Sequence, residues 1–477
     1  MAGWYDALPV FAQNWVCDAY GLRVRRERFG PSFRSKLAAL RESEWWSAGA
    51  IAEYQDAAVR DLVRHAYEHV PFYRDRMRAA GVVPDNVGGV RDLALLPVTT
   101  KADVRAHAER MRADDVPRGA LVEMHTSGTT GTSLHFQVDR AAIPFRWAVW
   151  WRHRTRFGIW PGEWHVNFTG KLAVPRNATR PPFWRRSRPL QQYIVSMQHL
   201  TPDSIRSIAG DVDALAPRFF SGYPSIVHVY CRLVAEAGLR LRRPPQFVFT
   251  GAENVLAHQR RDIEAATGAT VTDQYGFSEG CGNASHCEHF VYHEDFEYGL
   301  LECVDPEPMG GGEVRGRIVA TGFASRGVPF LRYDVGDIGV WAPEGFRCPC
   351  GRASRVLLRI EGRRDDYVIT PEGRRIMRFD YLFKDTRGIR EAQVVQERLG
   401  EIVIRAVLED GAARNELDAV RALVREWISP RLEVRYQVVD ELPRLPSGKL
   451  QAVVSLLPTA LREGRANGLP GPLTADA

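Results

Sequence analysis

The chain has 477 residues, too many for one ordinary hydrophobic core, so two or more domains are expected. Hydrophobic residues make up 45% and charged residues 26%, as in globular proteins, and no window approaches the roughly 18 uncharged apolar residues of a membrane-spanning helix. With 64 Lys+Arg against 58 Asp+Glu the net charge is +6, small for this length. The densest basic stretch, Gly21 to Lys36 (GLRVRRERFGPSFRSK), has no nucleic-acid motif beside it and reads as a solvated face. Arginine-rich surroundings favour a phosphate- or carboxylate-bearing ligand instead. The N-terminus lacks the basic start and apolar run of a signal peptide, and the seven cysteines are odd in number and unevenly spaced. Both features lead us to expect a cytoplasmic protein without a disulfide framework.

The first hundred residues read as mainly helical, with apolar residues at helical spacing from Ala50 to Val70 and a stop at Pro71. From about residue 120, short β-rich runs such as FVFT (Phe247 to Thr250), ATVTDQYG and GRIVAT alternate with helical stretches such as TPDSIRSIAGDVDALA. That alternation predicts a layered α/β architecture. The strand-like VLLRI is followed by a charged, glycine-containing link, Gly362 to Asp366, where we place a boundary. Beyond it a hairpin (EAQVVQERLG–EIVIRAVLED) and an amphipathic helix (ARNELDAVRALVREWI) predict a compact small domain. The last residues, NGLPGPLTADA, read as a disordered tail.

Six motifs carry chemistry. His125 to Ser133 (HTSGTTGTS) packs two glycines and six hydroxyl residues into nine positions between strand-like LVEM and LHFQV. Glycine lets backbone N–H groups approach an anion, and hydroxyls add donors that adapt to phosphate oxygens. The Gly-Lys-Ser/Thr ending of a Walker A loop is absent. FTGAEN (Phe249 to Asn254) and QYGFSEG (Gln274 to Gly280) offer an aromatic ring to stack on a base, with Ser and Glu for phosphate and a hard cation. FLRYDVGDIG (Phe330 to Gly339) ends a strand-like run with Asp337, and RIEGRRDD (Arg359 to Asp366) spans the domain boundary. Near the C-terminus ELPRLPSGKLQ (Glu441 to Gln451) puts Lys449 on a glycine-containing loop, where an ammonium can bridge a carboxylate and phosphate oxygens.

In their order along the chain, from LLPVTTKADVR (Leu95 to Arg105) to the terminal SGK, these motifs resemble the adenylate-forming superfamily. Within it the chain is most similar to the branch of phenylacetate–CoA ligases and capsule-biosynthesis proteins. The resemblance implies a large multi-layer α/β N-terminal domain with mixed sheets, residues 1–362, then a small mobile α+β C-terminal domain on a hinge, residues 363–466, and a tail, 467–477. It also implies ATP and Mg²⁺. Thr126, Ser127, Gly128, Thr129, Thr130 and Gly131 would hold the β- and γ-phosphates. The lysine that often follows this loop is replaced by Ser133-Leu134, which shifts phosphate neutralisation to Mg²⁺ and arginines. Gly251, Ala252, Glu253, Tyr275 and Gly276 would line the adenine, with Ser278 at the α-phosphate and Glu279 on Mg²⁺. Asp337 would take the ribose hydroxyls, although Asp334 stands where relatives have arginine. Arg363 would contact the nucleotide, Asp365 would be the hinge, and Lys449 would be the catalytic ammonium.

Cys348-Pro-Cys350 has the tight spacing of a zinc knuckle, and Cys281, His286, Cys287, His289 and His293 lie upstream as further ligands. Two short pairs from separate loops suit a closed structural Zn²⁺. Some phenylacetate–CoA ligase-like relatives carry Cys-x₅-His followed by Cys-x-Cys, which selects Cys287, His293, Cys348 and Cys350.

Trp147, Trp150, Trp151, Trp160 and Trp164 read as core packing. Relatives place the acyl pocket on neighbouring segments, including SGYPSIV (Ser221 to Val227), which points to an aromatic or planar acid. His165 and Lys171 belong to this region without an assigned place. The segment after the hinge, YVITPEGRRI, is more like the capsule-associated branch, which leaves both CoA and an amine open as acceptors. The expected function is adenylation of a small, aromatic carboxylic acid with release of pyrophosphate, then acyl transfer. The alternatives are activation of nitrite for diazotisation of an aromatic amine, and a non-catalytic nucleotide-binding protein.

Overall fold

The computed structural model describes residues 3–458, apart from 126–133, 170, 172, 176, 364–366, 373, 374, 377, 378, 384, 385, 387, 409–414 and 445–449. Helices dominate the first hundred residues. Ser47 caps Ala48–His69 by accepting the Ala50 N–H at 3.2 Å, and the helix buries Ile51, Gln55, Val59, Leu62, Val63 and Ala66 at three- and four-residue spacing. Pro71, which has no N–H to give the first helix, begins the next one, Pro71–Ala79.

A mixed twelve-stranded sheet forms the frame of the larger unit. Its order is Gly299–Pro308, Val314–Gly322, Tyr333–Trp341, Val356–Arg363, Tyr292–Glu294, Asn283–His286, Thr270–Gly276, Phe247–Gly251, Phe219–Gly222, His165–Phe168, Gln192–Val195 and Trp184–Ser187. The run from Thr270–Gly276 to Gln192–Val195 is parallel, and the pairings on either side of it are antiparallel. Pro224–Glu236 and Ala257–Thr267 connect successive parallel strands and cover an apolar core with Ile205–Leu215. The antiparallel half packs its own core against Ala48–His69. In such open sheets ligands sit beyond the carboxyl ends of the parallel strands, here Gly222, Gly251 and Gly276.

The strand Val356–Arg363 runs further than the sequence reading had it. Gly362 and Arg363, read as part of the link, pair with Ile338 and Asp337. A register shift at this point is absorbed by Gly362, whose φ of 114° belongs to the region that glycine tolerates. Beyond it lies a second core, from Val368 to Val453. There a four-stranded sheet runs Glu433–Val438, Glu401–Leu408, Ile389–Arg398, Val453–Ser455, beside the helix Asn415–Leu423 and its continuation as a π turn, Val424–Ile428. The expected hairpin is the central pair of this sheet.

A buried ion network ties the N-terminal helices to the sheet. The Arg152 guanidinium, 1% exposed, bonds Asp295 at 2.5 Å and Glu297 at 2.7 Å. Arg156 joins Asp295 to Glu44, and Glu44 also accepts from Arg352 at 3.2 Å. Among the described residues no helix is long and apolar enough to cross a membrane.

Candidate active site

A cavity of about 680 Å³ opens between the large unit and the small C-terminal one. Tyr275 and Gly276 reach it from the end of one parallel strand, and Asp337 reaches it from the neighbouring antiparallel segment. The Tyr275 hydroxyl donates to Asp337 Oδ2 at 2.7 Å, so two groups expected at the nucleotide are in contact. Arg363 is the register partner of Asp337, which brings its backbone to the same edge. Glu279 also lines the cavity and is buried, with the Tyr333 hydroxyl donating to its Oε1 at 2.7 Å. Asp334, where relatives have arginine, is tied to Arg317 at 2.7 Å and to the Gly336 N–H at 2.9 Å.

Arg146 spans the turn after Tyr275, donating to Ser278 O at 2.9 Å and to the Tyr298 hydroxyl at 3.0 Å. Gly280 makes room for it: φ is 72°, and a Cβ there would lie 2.2 Å from Arg146 Nη2. Ala252 has a φ of 68°, a conformation costing a non-glycine residue about 1 kcal/mol or more and found at functional clamps.

Glu253 lines the cavity with its carboxylate turned to the small unit. Oε1 accepts the Leu450 N–H at 2.7 Å and Oε2 accepts the Ser225 N–H at 3.2 Å. Burial raises its carboxyl above the ordinary value, against the pull of these bonds and of Arg444. Arg444 bonds the Ser225 hydroxyl at 2.8 Å and Glu391, and Arg390 pairs with Glu236, so the small unit is fastened beside the cavity. Thr126 to Gly131, Asp365, Lys449 and the side chain of Arg363 lie outside the described residues. The strands Leu121–His125 and His135–Asp139, which flank the hydroxyl-rich loop, pair antiparallel up to His125 and His135.

A second cavity, of about 1170 Å³, adjoins the first, and Ala252, Gln274, Gly276, Phe277 and Ser278 line both. Trp147, Trp150 and Trp151 face it from the helix Ala142–Arg156 and Phe249 from a strand, so these tryptophans do more than fill a core. Trp160 is instead exposed beneath Arg41, and Trp164 stacks on Tyr193. His165 lies flat on Phe219 with centroids 4.6 Å apart, and burial among cations brings it down to about 3, leaving it neutral. Lys171 is exposed to the open space of this cavity, and desolvation by the surrounding walls, followed by Arg28, brings its ammonium down to about 8.

Away from both cavities, Cys287, His293, Cys348 and Cys350 hold their donor atoms within 4.8 Å of one another. Cys287 and Cys348 Sγ are 3.7 Å apart, and Cys350 Sγ is 3.3 Å from His293 Nε2. A tetrahedron with metal–sulfur bonds of about 2.3 Å has an S–S edge of about 3.8 Å, whereas a disulfide needs about 2.05 Å. Two other upstream candidates are used elsewhere: Cys281 packs in the core, and His286 Nδ1 accepts the Asp273 N–H at 3.0 Å.

Residues 368–456 match the family model of the CapK C-terminal domain. Protein CapK of Staphylococcus aureus is 22% identical over 459 residues, covering 94% of this chain and 98% of that one. The phenylacetate–coenzyme A ligase of Thermus thermophilus is 27% identical over 447 residues, covering 84% of this chain and 96% of its own. Among solved structures, 2-hydroxyisobutyryl-CoA ligase in the postadenylation state superposes with a TM-score of 0.68 at 20% identity, over 89% of this chain and 93% of that one. The chain thus has the fold of the adenylate-forming ligases, and its curated relatives are a CapK protein and phenylacetate–coenzyme A ligases.

Three cavity residues are not marked by any of the sequence motifs. Arg28, from the stretch read as a solvated face, lies over Trp147 at 4.1 Å and lines the second cavity. Arg146 and Arg154 line it from the tryptophan-bearing helix. The spacing Arg146, Trp150, Arg154 puts two arginines and an aromatic on one helical stripe, a signal that was available.

Proposed function

We propose that the protein uses ATP to adenylate a small acid, releasing pyrophosphate, and passes the acyl group to CoA or another acceptor. The observation that carries this reading is the meeting of two cavities at Ala252, Gly276 and Ser278. One is bounded by the Tyr275–Asp337 pair, and the other by tryptophans and cations. In this reading Tyr275, Gly251, Ala252, Glu253 and Gly276 border the adenine, Asp337 holds the ribose and Ser278 faces the α-phosphate. The loop Thr126 to Gly131 cradles the β- and γ-phosphates. Glu279, a buried carboxylate, suits Mg²⁺, which when bound neutralises the triphosphate and the departing pyrophosphate. A carboxylate oxygen attacks the α-phosphorus, and the bond to the bridging oxygen breaks with its electrons leaving on pyrophosphate. Arg146, already bonded to Ser278 O, is placed to hold negative charge at this seam. Arg363, Lys449 and the small unit, residues 363–466 turning about Asp365, complete the site.

ATP–pyrophosphate exchange over aryl and alkyl carboxylic acids, with nitrite as one arm, tests the reading. Exchange is expected with one class of carboxylate. Exchange with nitrite alone would transfer the function to nitrite activation with an arylamine acceptor, and exchange with none would leave a nucleotide-binding protein. CoA and amines added in a second step separate the acceptors.

The Cys/His cluster belongs to the same proposal as a structural Zn²⁺ site. Three cysteines and one histidine fill a tetrahedron and leave no position for substrate. Unpaired cysteines throughout suit a reducing, cytoplasmic setting. Elemental analysis of protein purified without added metal should find about one zinc per chain, and a chelator should lower the melting temperature. Zinc near zero with unchanged melting would remove the assignment.

A further inference from the structure

Resting on the adenylation reading, we propose that the acid substrate carries a second anionic group, held in the larger cavity by Arg28, Arg154 and Lys171 against a planar body packed on Trp147 and Trp150.

The larger cavity has more positive charge than an ordinary aryl acid needs. Among the described residues Arg154 donates only to neutral acceptors, Trp150 O at 2.9 Å and the Ser221 hydroxyl at 3.3 Å. Arg28 rests on the Trp147 ring, and among the described residues no carboxylate bonds Lys171. The two acids at the cavity wall are committed elsewhere. Glu163 pairs with Arg218 at 3.1 Å and accepts the Trp160 N–H at 2.8 Å, while Glu27 pairs with Arg23 at 3.3 Å. Desolvation outweighs the pull of Tyr20 and Glu27 on Arg28 and acts on Arg154 by itself, bringing both down to about 10, and Arg28 depresses Lys171 in turn. Arg154 is buried and Arg28 half-buried, and a buried cation without a counter-charge is costly unless a ligand supplies one. The carboxylate that reacts is accounted for at the Ser278 seam, where Arg146 serves it. Three further cations remain for a second carboxylate or a comparable anion.

The experiment compares acids matched in body but not in charge: benzoate with isophthalate, and phenylacetate with 4-carboxyphenylacetate, each by pyrophosphate exchange. Wild-type kcat/KM is expected to favour the dianionic member of a pair by about 10- to 100-fold. Lys171→Gln should collapse that ratio, and Lys171→Arg should restore part of it. Lys171 faces open cavity, so its replacement leaves packing in place. Equal use of both members by the wild type, or a ratio untouched by Lys171→Gln, overturns the proposal. A uniform rise in the KM for ATP with an unchanged acid ratio also overturns it and assigns the cations to the triphosphate. If no acid and no nitrite supports exchange, the adenylation reading itself fails. Calorimetric binding of isophthalate, weakened by Lys171→Gln or not, then decides the anion subsite alone.

Discussion

Replacing Lys449 with alanine is expected to lower the rate of pyrophosphate exchange by about 10²- to 10³-fold, the scale for losing one preorganised electrostatic group at the reacting centre. The next residue explains why. Leu450 lines the cavity that holds Tyr275, Glu279 and Asp337, and Glu253 fixes its N–H at 2.7 Å. The chain is therefore brought to the nucleotide side of the site one residue after the lysine, by a bond spanning 197 positions. Arg444, bonded to Ser225 and Glu391, secures the strand-like segment leading into the loop. In the proposed reaction the Lys449 ammonium would meet the negative charge that grows as the α-phosphorus takes on a fifth oxygen. Lys449 is proposed to act in the reaction and not in folding, so the melting temperature should match the wild type. Exchange at the wild-type rate would show that the C-terminal loop has no part in adenylation.

The second large effect is on stability. Arg152→Met should destabilise the protein by about 3–5 kcal/mol, because it leaves the buried Glu297 without its cation and Asp295 with Arg156 alone. Asp295 is 0% exposed and Glu297 5% exposed, so water cannot take over the lost bonds. Burial by itself would raise the Asp295 carboxyl, but Arg152 and Arg156 outweigh it and hold it below the ordinary value. A depressed folded-state value contributes stability above the unfolded value and loses it as pH falls through the folded one. Removing Arg152 raises the value for Asp295, so the variant takes up protons at higher pH than the wild type. The stability gap should therefore be widest near neutrality and narrow on acidification toward about pH 4. Denaturant midpoints of both proteins at two pH values measure this. A gap independent of pH would mean that the cost is packing rather than stranded charge.

The network matters beyond its energy. Through Arg156, Glu44 and Arg352 it joins the helix that carries the tryptophans and Arg154 to the loop that carries Cys348 and Cys350. The Cys/His cluster and the wall of the larger cavity are thus braced by one set of buried charges.

Local pattern by itself determined a large part of this protein. Three- and four-residue apolar spacing, a serine cap and a proline stop define Ala48–His69, because each acts within one or two helical turns. The strand runs of FVFT and GRIVAT, the hairpin beyond residue 388 and the Cys-x₅-His and Cys-x-Cys pairs are legible for the same reason. The ordered motifs are legible as well, since each is contiguous. The tertiary structure alone decided what depends on residues far apart meeting in space. Tyr275 touches Asp337 across 62 positions because two strands of one sheet bring them to a common edge. Glu253 holds the small unit, and Arg152 finds its carboxylates 143 and 145 positions away. Arg28 leaves a stretch that reads as solvent-facing because Trp147 offers it a ring, and a cavity, to lie against. Periodicity reports which face of an element is apolar, not which partner covers it, so the charge of the larger cavity became visible only when the elements were packed.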